Sequence, residues 1–131
     1  MSKQRIIPML SYDDCPAALD FLAKAFGFEE RFRFAMPDGK IGHAEIGYDD
    51  NVVMVASSYE PFGLTSPRNL PLRHGQIFCT VDDVDAHYRR ARAAGATIAA
   101  EPEDQSHGHR IYRALDLEGH RWIFAAPLPK P

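Results

Sequence analysis

Long apolar runs are missing from this 131-residue chain. No stretch approaches the roughly eighteen consecutive apolar residues that a membrane-crossing helix needs, and the apolar run in MSKQRIIPML is too short for a secretory signal. A cytoplasmic protein with no membrane partner is the expectation. A surplus of one charge is missing too: the formal net charge is -3, and Lys and Arg are interspersed with acids. Without a basic block to neutralise phosphates, nucleic acid is not an expected partner. Cysteine is scarce, and Cys15 and Cys79 have neither zinc-motif spacing nor the number required for a disulfide framework. Both read as buried, inert thiols, although Cys15 falls in the first turn of a predicted helix, where the dipole can lower a thiol pKa. Glycine-rich phosphate loops, Walker motifs and nucleophile elbows are also absent, which removes nucleotide-dependent and serine-hydrolase chemistry from consideration.

What the chain does have is a pattern written twice. IIPMLSYDD (6–14) and GQIFCTVDD (75–83) are each a short apolar strand ending in two aspartates and leading into a helix. In the first helix Asp14 caps, Pro16 sits in the opening turn, Leu19, Leu22 and Phe26 line one stripe with Ala18 and Ala25, and Gly27 is the stop. In the second, Asp83 caps, Val84, Tyr88 and Ala91 form the stripe, and Gly95 stops it. After each helix the period changes to two, the mark of strands. The first half predicts strands over 30–36, 40–48 and 52–56, the second over 96–101, 109–115 and 121–125, with 102–108 as a polar loop.

Each half is therefore βαβββ, and the fold class is α+β. We divide the single domain (1–131) into a first module (1–57), a linker (58–74) and a second module (75–127). The linker carries Pro61, Pro67 and Pro71 and no sustained period; it reads as a crossover or as a flap in which Tyr59, Phe62 and Leu64 cover a ligand. With 45% hydrophobic residues the chain can bury a self-sufficient core.

The tandem βαβββ pattern, the paired aspartate caps, FGF and AGA after the helices, and the closing DLEGHRWIF (116–124) resemble the vicinal-oxygen-chelate superfamily of glyoxalase I, bleomycin-resistance proteins and extradiol dioxygenases. The resemblance covers nearly the whole chain. It implies two curved mixed sheets with helices outside and a concave ligand cavity, commonly built at or across a homodimer interface. It also implies, in metal-dependent members, four ligands from strand positions that match Ile7, Met54, Gln76 and Phe124 here. Only Gln76 is a donor, and a weak one, so no metal or other cofactor is expected at the inherited site.

Candidate site residues follow from strand alternation. His43 and Glu45 share one face of KIGHAEIGY, opposite Ala44 and Ile46, and would aim at the cup as an acid–base pair with Glu45 as base; the plainer alternative is a half-exposed pair satisfied by arginines or water. Phe32 and Phe34 share a face of the preceding strand, Trp122 and Phe124 are expected as core or aromatic cavity wall, and Gln76 and Tyr112 join them as candidate ligand-binding residues. Arg110 is a candidate anion holder, with a salt bridge to Glu101, Glu103 or Asp104 as its alternative; it shares a face with Tyr112 and Ala114, whereas His109 shares one with Ile111 and Arg113. His120 is expected to shape its turn or bond backbone, and His87 to be a partly exposed helix residue. The functional expectation is a glyoxalase/bleomycin-resistance-like protein that binds a small, partly apolar molecule without a metal. The alternatives are a lyase or dioxygenase with a relocated metal, or a metal-free isomerase using Glu45.

Overall fold

The computed structural model describes residues 4–130; residues 1–3, part of the segment searched for a targeting signal, and residue 131 lie outside the described residues. The first half contains strand β1 (Met9–Tyr12), helix α1 (Cys15–Phe26) and strands β2 (Glu29–Ala35), β3 (Ile41–Tyr48) and β4 (Asn51–Ser57). The second half contains β5 (Gln76–Thr80), α2 (Val84–Ala93), β6 (Thr97–Asp104), β7 (His109–Leu115) and β8 (Arg121–Pro127). The strand orders are β1-β4-β3-β2 and β5-β8-β7-β6, with the first strand of each half parallel to the last and the other pairings antiparallel. The expected α+β architecture of two mixed sheets is what forms.

The helix signals act as read. Asp14 accepts the Ala17 amide at 3.2 Å and Asp83 the Ala86 amide at 3.0 Å, each satisfying one of the amides that a helix start leaves without an intrahelical partner. Gly27 ends α1 in the left-handed region at φ 81°, where its amide reaches back to the Leu22 carbonyl. The second helix stops one residue before its glycine: Ala94 is the cap, and Gly95, at φ 96°, follows it.

The largest departure concerns β6, which runs through Pro102 to Asp104 where a loop was expected. As the outer strand of its sheet, β6 needs no ladder bond from Pro102, and register shifts between Ile98 and Glu103 absorb the misfit.

Both sheets contribute their helix-bearing faces to one core. From the first half, Phe26 and Phe28 reach across to Trp122, at ring-centroid distances of 5.7 and 5.2 Å, and Phe26 meets Phe124 at 4.8 Å. Tyr12, Leu19, Leu22, Ala44, Ile46, Val55, Tyr112, Trp122 and Phe124 are all essentially removed from solvent there. Each such large side chain contributes about 1.5–3 kcal/mol of burial free energy, so this shared layer holds the halves together.

Candidate functional site

Strand β3 lies between β2 and β4, and its alternation sorts its side chains. Ala44 and Ile46 are buried in the core, while His43 and Glu45 emerge on the other face, each about one-third exposed. The His43 Nε2 and Glu45 Oε2 atoms are 3.0 Å apart, and Glu45 Oε1 has no protein partner among the described residues. On β2, Phe32 stands directly opposite Glu45 and Phe34 opposite His43. The Phe32 ring lies 5.8 Å from the His43 ring. On the other side Met54 pairs with Glu45, and Met9 with Met54. The result is an apolar surface around one hydrogen-bonded imidazole–carboxylate pair. Phe32, Phe34 and Met9 keep 49%, 55% and 71% of their surface exposed, so this face is open in the single chain.

In the second sheet the core alternative holds for Trp122 and Phe124, and the ligand-binding reading of these two and Tyr112 does not. Tyr112, Trp122 and Phe124 are fully buried on the helix side and cannot line an open cup. Trp122 and Phe124 pack on the Phe26 ring of α1, and Tyr112 stacks against Phe124 at 5.3 Å while its hydroxyl meets His87 Nδ1 at 2.5 Å. The side chains on the other face are Gln76 and Phe78 of β5, Ile111 and Arg113 of β7, and Arg121, Ile123 and Ala125 of β8, as their pairings show. Thus Ile123, not its neighbour Phe124, points away from the helices. The reassignment moves one inherited position, and the set becomes Ile7, Met54, Gln76 and Ile123. Three of these have no donor atom suited to a hard or borderline cation, so the residues present do not fit the family's divalent ion. Among the described residues there is also no group of three or more His, Cys, Asp or Glu placed to hold a metal elsewhere.

Arg110 is engaged within the protein. Its Nε and Nη2 donate to the two oxygens of Asp85 at 2.9 Å each, and its Nη1 to Asp104 at 3.0 Å. The bidentate contact lowers the Asp85 pKa and raises that of Arg110. The salt-bridge alternative holds for Asp104, with Asp85 of α2 as the stronger partner and Glu101 and Glu103 uninvolved.

His87 is the partly exposed helix residue expected, with a role beyond that. It bridges the halves, with Nε2 donating to the Phe26 carbonyl at 2.8 Å, a bond that leaves Nδ1 to accept from the Tyr112 hydroxyl. Burial holds its pKa below the ordinary imidazole value. Burial likewise pushes the Cys15 thiol up to about 12 and Cys79 up to about 11, outweighing any helix-dipole effect on Cys15. His120 donates Nε2 to the Ser11 carbonyl at 2.9 Å, the backbone role expected for it. Tyr59, Phe62 and Leu64 are exposed; the Tyr59 and Phe62 rings meet edge-on at 4.8 Å within a turn closed by the Tyr59–Leu64 bridge.

Sequence reasoning missed the role of two acids in DLEG. Asp116 accepts the Tyr12 hydroxyl at 2.6 Å, the Trp122 indole at 3.0 Å and the amides of residues 118–120. Burial, reinforced by the charge and hydrogen bond of Asp116, raises the Tyr12 pKa far above its usual value. Glu118 accepts the Asp13 and Asp14 amides at 2.6 and 2.7 Å and the Ser66 hydroxyl at 2.5 Å. The available signal was chemical: two acids flanking a single residue before a strand are costly to bury unless backbone donors meet them.

The fold of two four-stranded sheets of order first-fourth-third-second agrees with four likenesses. The family model for the Glyoxalase/Bleomycin resistance protein/Dioxygenase superfamily matches residues 7–124. The uncharacterized protein Rv0887c of Mycobacterium tuberculosis is 36% identical over 124 residues, spanning 92% of this chain and 73% of its own. The crystal structure of TioX from Micromonospora sp. ML1 is 34% identical, with a TM-score of 0.76, over 95% of this chain and 99% of that one. A glyoxalase family protein from Bacillus cereus shares the fold at 17% identity, with a TM-score of 0.74 over 98% and 99% of the two chains. This chain belongs to the glyoxalase/bleomycin resistance protein/dioxygenase superfamily.

Proposed function

We propose that this protein is a cytoplasmic, homodimeric binder of a small, partly apolar molecule, taken up on the open face of the first sheet with no metal ion involved. The observation that carries the reading is the pair of exposed rings, Phe32 and Phe34, set directly across from Glu45 and His43. Exposed aromatics beside a few polar groups suit a flat ligand with one or two hydrogen-bonding atoms. In this reading a second copy covers the face and completes the cup with its own second sheet, where Phe78 is also half exposed.

Native mass spectrometry on protein purified without chelators or a polyhistidine tag tests it. The expected result is a dimer carrying an organic molecule that is lost in the Phe32→Ser/Phe34→Ser variant. Near-stoichiometric Ni, Zn, Fe or Mn that disappears on changing His43 or Glu45 overturns it. The 3.0 Å contact between His43 and Glu45 supports a second reading, a metal-free isomerase in which Glu45 takes a substrate proton and His43 orients it. Under that reading Glu45→Gln abolishes turnover and leaves affinity largely intact.

A further inference from the structure

The linker covers one side of a second space, away from Phe32 and Phe34. Its two short 3-10 turns, Glu60–Phe62 and Pro67–Asn69, carry the chain back toward β1. Ser66, fully buried, donates to Glu118, and the Asn69 amide donates to Asp13 and Thr65 at 2.9 Å each. Pinned in this way, Pro67 and Leu70 stand over Leu10 and Ile77 and leave a cavity of about 310 Å³.

Two guanidinium groups edge the cavity. Arg73 donates Nε to the Gly119 carbonyl, and Arg121 donates Nε to Gln76 Oε1 at 3.0 Å. Each fork is oriented through its Nε, while its terminal amino groups have no acceptor among the described residues. The Arg73 fork lies against Gly119 itself, where a Cβ would meet Nη2 at 3.1 Å. No Asp or Glu lines the space, so nothing within it neutralises the two cations. An apolar floor below two oriented, unneutralised forks matches a small anion with an apolar body, because planar carboxylates pair with guanidinium forks and the desolvated remainder packs on Leu10, Leu70 and Ile77.

We infer that the cavity beneath the linker is a binding site for a small aryl or branched-chain carboxylate, held by Arg73 and Arg121. The inference stands apart from the open-face reading at Phe32 and Phe34, with Gln76 and Arg121 of the second sheet on the boundary between the two.

Titration of ¹⁵N-labelled protein with benzoate, and separately with the neutral isostere benzamide, tests it by NMR. Benzoate is expected to give saturable shifts centred on the amides of Leu10, Gly75, Ile77 and Gly119, with benzamide bound about 10-fold more weakly or worse. Arg73→Gln and Arg121→Gln are each expected to weaken benzoate by about 5- to 10-fold and to leave benzamide unchanged. Equal binding of the two probes, shifts centred on Phe32 and Phe34, or no saturation by about 20 mM benzoate overturns the assignment. The comparison of probes on the unaltered protein decides the matter even where a variant folds poorly.

Discussion

Replacing Glu118 by Gln tests the account of how the linker is held. The side chain is fully buried, and its two oxygens divide the work: Oε1 takes the Asp13 amide and the Ser66 hydroxyl, Oε2 takes the Asp14 amide, with Arg68 Nη2 at 3.5 Å. A glutamine presents one oxygen and one NH₂. Whichever way it turns, a backbone N–H of residue 13 or 14 faces a donor, at a cost of about 1–3 kcal/mol for a buried unsatisfied group. The bonds that survive lose their charge assistance, which removes roughly half of their strength. Together these give an expected destabilisation of about 2–4 kcal/mol. Urea unfolding followed by the fluorescence of the single tryptophan, Trp122, is the assay. With a slope of about 1–2 kcal/mol per molar urea, the midpoint should fall by at least about 1 M at unchanged slope. Amides of residues 66–70 should also exchange faster, because the Ser66 bond to residue 118 loses its charged acceptor in either orientation. A midpoint shift below about 0.5 M would falsify the claim that this carboxylate, rather than the surrounding packing, pins the linker.

Stability should depend on pH through His87. Because burial depresses its folded-state pKa, the unfolded chain binds the proton first as pH falls below about 6.5; the contribution is complete above that pH and lost on descending through the folded pKa. Thermal melts from about pH 7.5 to 5.5 should show a falling Tm, with a shallower slope in His87→Gln; an unaltered slope contradicts the assignment. With thiols raised to about 12 and 11, Cys15 and Cys79 should react slowly with a thiol reagent in the native protein and quickly in urea, and fast native labelling of Cys15 would count against its burial. Phe124→Ala should cost about 3–5 kcal/mol in chemical denaturation, and Phe34→Ala no more than about 0.5, since one ring is enclosed and the other half exposed; equal losses would mean that the two faces of the fold have been misassigned.

The repeat, both helix starts, the strand alternation in β3 and the joint placement of Phe32, Phe34, His43 and Glu45 were legible in the sequence because each is a local pattern. Periods of 3.6 and 2 and side chains that cap their own helix need no knowledge of distant chain. Strand β6 was cut short in the reading because Pro102 marks a break unless the strand is known to be an outer one, and strand order is a tertiary fact.

What lay beyond the sequence shares a single cause, partnership at long range. Arg110 was offered to a ligand, but Asp85 of another element takes it, 25 positions away. Glu118 meets donors 52 and 104 positions away. For β8 the alternation was read correctly and its facing was not: sliding a strand by one residue exchanges its two faces, and only docking against Phe26 and Phe28 of the other half decides that Trp122 and Phe124 turn inward and Ile123 outward. The sequence by itself determined the helices and strands, their order and the scarcity of donors at and beside the inherited positions, since these depend on residue type and local spacing. The tertiary structure alone decided which faces are open and which charges remain unpaired, because burial and pairing are set by residues that the chain brings together only on folding.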